Sequence, residues 1–183
     1  GPDEYKYVTL NSTTGELEIG HFVGGQYYVD ASVDAGIKSN RDYTVTLTMF
    51  GSTATVAVDG ASMLTHEFNS ILNDGLFGVT DVSGGTSFDN FLVRGDDPSY
   101  ISGSAGDLEG ASGNWTLDGD ALTGNGGVAL AESDLSGYDS ALIEADITAG
   151  GEGGLVFDYA GADDYKFVTL DTNTGQLIIG HYD

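Results

Sequence analysis

Glu144-Ala-Asp146 sets two carboxylates two residues apart. On a β-strand, alternation puts both on one face, as the acid and partner carboxylate of a glycoside hydrolase require. The next position on that face is Thr148, which supplies no third acid, and the sequence holds no Gly-x-Ser-x-Gly elbow, phosphate loop or His-Glu-x-x-His motif. Catalysis is therefore not expected. His21 and His181 close two copies of the same Ile-Gly-His, on the parity of Leu17, Ile19 and Leu177, Ile179. With His66 as the only other histidine, a packed or capping role is expected rather than a three-histidine zinc site. Sugar binding would use an aromatic platform on a sheet face. Tyr5 and Tyr7 share the face opposite Val8 and Leu10, and Tyr28 lies opposite Tyr27 and Val29, so these three are the candidate platform. Tyrosines are also common on sheets that bind nothing. Arg94-Gly95-Asp96 spells the integrin tripeptide in a linker context and reads as a chance match.

The chain has 183 residues, with 5 Lys and Arg against 29 Asp and Glu, a formal net charge of −24. A field of that sign repels phosphate backbones and anionic lipid, so neither nucleic acid nor membrane insertion is expected. No apolar run approaches the roughly 20 residues of a membrane span. Many loop carboxylates without basic partners suit Ca²⁺, a hard ion that takes oxygen ligands, and equally suit solubility in a salty medium. There are no cysteines, which removes disulfides and thiolate sites. Gly1-Pro2 looks like the scar of a tag-removing protease, so the natural N-terminus is not in view.

Alternation of apolar and polar residues, punctuated by Gly, Asn, Asp and Ser, runs throughout, and no segment sustains a helical period. The strands expected are 5–10, 16–21, 26–31, 43–50, 53–58, 75–79, 87–93, 121–124, 140–148, 154–159, 166–170 and 176–180. In 43–49, Tyr43, Val45, Leu47 and Met49 form one face and Thr44, Thr46 and Thr48 the other, and Ala54, Val56 and Val58 repeat the pattern, as in sheets with one wet face. One segment occurs twice: Asp3-Glu-Tyr-Lys-Tyr-Val-Thr-Leu10 through Thr14 to His21 returns as Asp163-Asp-Tyr-Lys-Phe-Val-Thr-Leu170 through Thr174 to His181, 160 positions later. Its polar connections, 11–15 and 171–175, each end in Gly, so the repeated unit is a β-hairpin. An offset of that size matches a whole domain rather than a solenoid unit. The sharpest composition break, 94–107, marks the seam between two repeat portions.

Read in succession, Gly154-Leu-Val-Phe-Asp-Tyr159, Asp164-Tyr-Lys-Phe-Val-Thr-Leu170 and Thr174-Gly-Gln-Leu-Ile-Ile-Gly-His181 resemble the laminin-G-like, concanavalin A-like modules of large secreted, RTX-type bacterial adhesins. Ala57-Val-Asp-Gly60 and Phe88-Asp-Asn-Phe-Leu-Val93 resemble the end of such a module, and Trp115-Thr-Leu-Asp-Gly-Asp-Ala-Leu122 its opening. The resemblance implies an all-β antiparallel jelly-roll sandwich in permuted or split order. Residues 3–95 are then the C-terminal portion, 96–107 a linker and 108–183 the N-terminal portion. A dozen-residue linker, at about 3.3–3.6 Å per residue, can join first and last strands that lie close together. One hairpin copy, 3–22 or 163–182, is then surplus and free to extend a sheet edge or exchange with another molecule.

The resemblance further implies a structural Ca²⁺ where the closing and opening strands meet, matched here by Asp89, Asp107 and Glu109. It implies a secreted or cell-surface setting in which adjacent domains of the same adhesin are the partners. The function expected is a non-enzymatic module that spaces or displays ligand-binding domains in adhesion and biofilm formation. The rivals are a carbohydrate-binding module using Tyr5, Tyr7 and Tyr28, and a glycan-active enzyme.

Overall fold

The computed structural model describes residues 5–11, 16–21, 27–73, 75–96 and 100–182, with side chains from 29 onward except 97–102. Among them, chain order gives β1 (Tyr5–Asn11), β2 (Glu16–His21), β3 (Tyr27–Asp34), β4 (Asp42–Phe50), β5 (Thr53–Val58), β6 (Ala61–Glu67), β7 (Leu76–Asp81), β8 (Ser87–Gly95) and β9 (Tyr100–Ser102). A single 3₁₀ turn, Ala105–Asp107, precedes β10 (Leu108–Gly110), β11 (Trp115–Asp118), β12 (Ala121–Gly124), β13 (Gly127–Asp134), β14 (Ser140–Thr148), β15 (Glu152–Gly161), β16 (Asp164–Asp171) and β17 (Gln176–Tyr182). The chain is thus an antiparallel β-sandwich. Among the described residues, no helix is long and apolar enough to cross a membrane.

One sheet runs β10-β13-β7-β15-β16-β17-β3 and the other β11-β12-β8-β14-β4-β5-β6, with short β9 added beside β8. Strands from the two sides of the sequence seam interleave: β7 lies between β13 and β15, and β8 between β12 and β14. Both sequence portions therefore share one core, in which Leu47, Phe77, Phe88, Phe91, Ile143, Leu155 and Phe157 are fully enclosed. The segment read as a linker is itself built: β9 pairs with β8, and the Ser104 hydroxyl caps the 3₁₀ turn by accepting from the Gly106 amide at 3.0 Å.

The second sheet has the expected wet face. Tyr43, Val45, Leu47 and Met49 of β4 and Ala141, Ile143, Ala145 and Ile147 of β14 point inward, and their alternating neighbours point out. In β8 the inward residues are Phe88, Phe91 and Val93, a change of parity made by a bulge at Asn90, whose φ is +50°. Asp59 and Gly60, both at positive φ, form the two-residue turn joining β5 to β6.

The first sheet departs from the one-wet-face expectation, because both of its faces are buried. Leu155, Phe157, Val168, Leu170, Leu177 and Ile179 face the other sheet, while Val128, Leu130, Val156, Tyr165, Phe167 and Ile178 make a second cluster on the outer side. The two copies of the repeated hairpin are treated differently. The second, β16–β17, is inserted between β15 and β3, whereas β1–β2 pairs only with itself and lies near β3.

Candidate functional site

Titratable side chains gather at one end of the sandwich, where β15, β16, β17, β3 and β6 meet. Asp158 sits in a bulge of β15 with φ +52°, a conformation Asp tolerates better than most residues. There its Oδ2 receives the Nζ of Lys166, with only 12% of the Lys and 10% of the Asp side chain exposed. The same ammonium lies 5.5 Å from the centroid of the Phe68 ring. On the neighbouring strands, His181 Nδ1 is 2.5 Å from Asp30 Oδ2, and this pair is equally shielded. His66 packs edge-on to Phe68 at 4.6 Å, and Phe68 on Phe157 at 5.9 Å. Burial lowers the His66 pKa below its ordinary 6.5; His181 acts in the same direction, against Asp30 and Glu67. Asp158 is engaged by an ammonium and Asp30 by an imidazole, and each contact joins two strands of the sheet.

On the outer side of the same strands, Tyr159, Tyr165 and Tyr182 stack with centroids 5.5 Å apart at each step. The backbone register sets Tyr27 of β3 opposite Tyr182. Tyr165 is almost enclosed, and burial, reinforced by Tyr182, Tyr159 and Asp163, raises its phenol pKa.

The wet face of the second sheet carries a ladder of acids and hydroxyls. The Thr44 hydroxyl donates to Asp146 Oδ1 at 2.5 Å, the Asn90 amide to Asp146 Oδ2 at 2.8 Å, the Thr46 hydroxyl to Glu144 Oε2 at 2.8 Å and the Thr148 hydroxyl to Asp42 Oδ1 at 2.5 Å. Glu144 and Asp146 do share a face, as period-two alternation requires, but each is occupied by a cross-strand donor.

The other expected site residues fall on several elements. Asp89 lies in β8 and accepts from the Asn90 backbone N–H at 2.7 Å; Asp107 ends the 3₁₀ turn; Glu109 lies in β10, at the edge of the opposite sheet. Among the described residues, no three His, Asp or Glu side chains converge as a metal site would need. Tyr5 and Tyr7 fall on β1 and Tyr28 on β3, opposite His181, but their side chains lie outside the described residues. Among the described side chains, the aromatic row is that of Tyr159, Tyr165 and Tyr182, and no local pattern signals it, because its members come from separate strands. Gly95 of the Arg-Gly-Asp sequence is fixed by packing: a Cβ there would run into the ring of Tyr138.

The far end of the sandwich is organised by Asp81, which is fully buried. Its Oδ1 accepts from the Gly84 amide at 3.1 Å and the Thr86 hydroxyl at 2.9 Å, and its Oδ2 from the Gly126 amide at 3.0 Å. One carboxylate thereby holds the β7–β8 and β12–β13 connections together. The signal for it was the double glycine in Asp81-Val-Ser-Gly-Gly-Thr86, where Gly84 and Gly85 both take positive φ.

Fold and site together define an antiparallel β-sandwich whose buried charges tie strands to one another. No family model matches the sequence, and no curated protein is detectably similar to it.

Proposed function

We infer that the chain is a non-enzymatic, extracellular structural module with a concanavalin A-like jelly roll, spacing or presenting neighbouring domains of a large secreted bacterial adhesin. One observation carries this reading. Strands from before and after the seam at 94–107 share both sheets of a single sandwich, in a chain that carries one hairpin twice at an offset of 160, as suits a piece of a repetitive scaffold. Supporting it, the carboxylates Asp30, Asp81, Asp146, Glu144 and Asp158 are all engaged by donors or cations rather than held ready for acid–base work. Stabilisation by Ca²⁺ is a separable part of the proposal, tested by thermal unfolding with and without chelator: an unchanged melting temperature removes it.

A carbohydrate-binding role is the second reading, favoured by the Tyr159–Tyr165–Tyr182 stack. A glycan array on the whole chain separates the two. The scaffold reading expects no sugar retained above background; reproducible binding abolished by Tyr159→Ala or Tyr182→Ala would replace it with the second.

A further inference from the structure

The chain carries one hairpin twice and has one place for it. With the offset of 160 applied, the two internal registers coincide from Lys6 onward: Val8 faces Ile19 as Val168 faces Ile179, Leu10 faces Leu17 as Leu170 faces Leu177, and Lys6 faces His21 as Lys166 faces His181; only at Tyr5 does the first copy shift by a bulge. A lone two-stranded hairpin is marginal in water, so β1–β2 has reason to seek a sheet.

The gap between β15 and β3 suits either copy. Tyr28 follows His21 by seven positions, so β2 could pair with β3 through a short hairpin connection, whereas β17 reaches β3 from the far end of the chain. The observed pairing sets Ile179 against Ala31 and Leu177 against Val33; the same place taken by β2 would set Ile19 and Leu17 there. The charges of the gap match as well. Its Asp158 and Asp30 receive Lys166 and His181, and the equivalent positions of the first copy are Lys6 and His21, in a chain with 5 Lys and Arg and 3 His. Two differences favour the second copy. Phe167 is fully buried and Ile178 nearly so on the outer side, where the first copy would bring Tyr7 and Glu18. Burying a carboxylate there is unfavourable.

We propose that the gap between β15 and β3 is a hairpin-binding site, and that residues 5–21 of the same chain are its second, weaker ligand, kept out by Phe167 and Ile178. Exchange would free β16–β17 and convert the sandwich into its circular permutant. This inference does not rest on the scaffold reading.

The absence of cysteine makes occupancy measurable by engineered disulfides. Asp34 faces Gln176 in register, and would face Glu16 after exchange; directly opposed strand residues lie within disulfide reach. Full-length D34C/Q176C reports the observed arrangement and D34C/E16C the exchanged one. Each is oxidised in the parent background and in a background with the distinguishing residues traded, Y7F/E18I/F167Y/I178E, which leaves composition unchanged. Expected is at least tenfold preference for D34C/Q176C in the parent and reversal in the traded background, with the cross-linked product monomeric on non-reducing gels and the melt cooperative in both. Failure of D34C/E16C to gain in the traded background, unfolding of that background, or cross-linked dimers in place of monomer would each overturn the proposal.

Discussion

Replacing Asp81 probes how much one buried carboxylate contributes when it serves three donors. Asp81→Ala leaves the half-buried amides of Gly84 and Gly126 and the buried Thr86 hydroxyl without their acceptor. Each orphaned buried donor costs about 1–3 kcal/mol. The hydroxyl can rotate and water can enter the vacated volume, so the expected total is about 3–5 kcal/mol rather than the full sum. Asp81→Asn is milder. Its amide oxygen can keep the Oδ1 pair of bonds, while its NH₂ meets the Gly126 N–H, donor against donor, at a cost of about 1–3 kcal/mol. Urea unfolding at constant m-value reads both differences. Amide exchange adds a local readout, with Gly84 and Gly126 losing protection together in the alanine variant and Gly126 first in the asparagine variant. A cost under about 1 kcal/mol for Asp81→Ala, or equal costs for the two variants, would refute the claim that this carboxylate ties the two connections together.

Asp158→Asn and Asp59→Asn form a matched pair. Both residues stand near φ +50° and both contact a cation, but the Asp158 side chain is 10% exposed and that of Asp59 46%. Urea unfolding is expected to show about 2–4 kcal/mol lost for the first and under about 1 kcal/mol for the second; equal losses would contradict shielding as the cause. His66 and Glu152 contribute to the pH dependence with opposite sign. His66 binds its proton less readily folded than unfolded, so stability falls as pH drops from its ordinary 6.5 through the lowered folded value, and His66→Gln should flatten that limb of melting temperature against pH. Glu152, whose pKa burial raises despite the Thr169 hydrogen bond, contributes stability that is lost as pH climbs from 4.5 through the raised folded value; Glu152→Gln should melt higher than the parent at pH 7. A Cβ at Gly154 would run into the Val168 carbonyl and stand 2.6 Å from Thr169 Cα, whereas one at Gly103 meets nothing within 4 Å. Gly154→Ala should therefore cost about 1–3 kcal/mol by parting β15 from β16, with Gly103→Ala close to neutral in the same urea titration.

Much of the strand pattern was legible because the second sheet has one wet face. In β4, β5 and β14, threonines and acids alternate with Val, Leu, Ile and Met, and period-two reading finds them directly. β13 was not read as a strand because Val128, Ala129, Leu130 and Ala131 are all buried, and a strand covered on both faces has no alternation to display. β6 escaped for the opposite reason: it is an edge strand with only partial burial, although the Asp59-Gly60 dipeptide before it is a strong hairpin signal. The seam at 94–107 was recognisable from its small residues, but β9 and the 3₁₀ turn inside it depend on contact with β8. Within the candidate site, the shared face of Glu144 and Asp146 followed from alternation. The His181–Asp30 pair joins residues 151 positions apart and could not be read from local pattern.

The sequence alone determined the β class, the acidic surface and the presence of one hairpin in two copies, each with its Lys and His at matched positions. It did so because alternation, turn residues and duplication are local properties of the chain. Which copy enters the sheet is a tertiary matter. Internal pairing is the same in both hairpins from Lys6 onward, so the choice is made by what each copy meets: β15 and β3 along the edges, Asp158 and Asp30 at the charged end, and an apolar outer cluster that accepts Phe167 and Ile178 where the other copy has Tyr7 and Glu18.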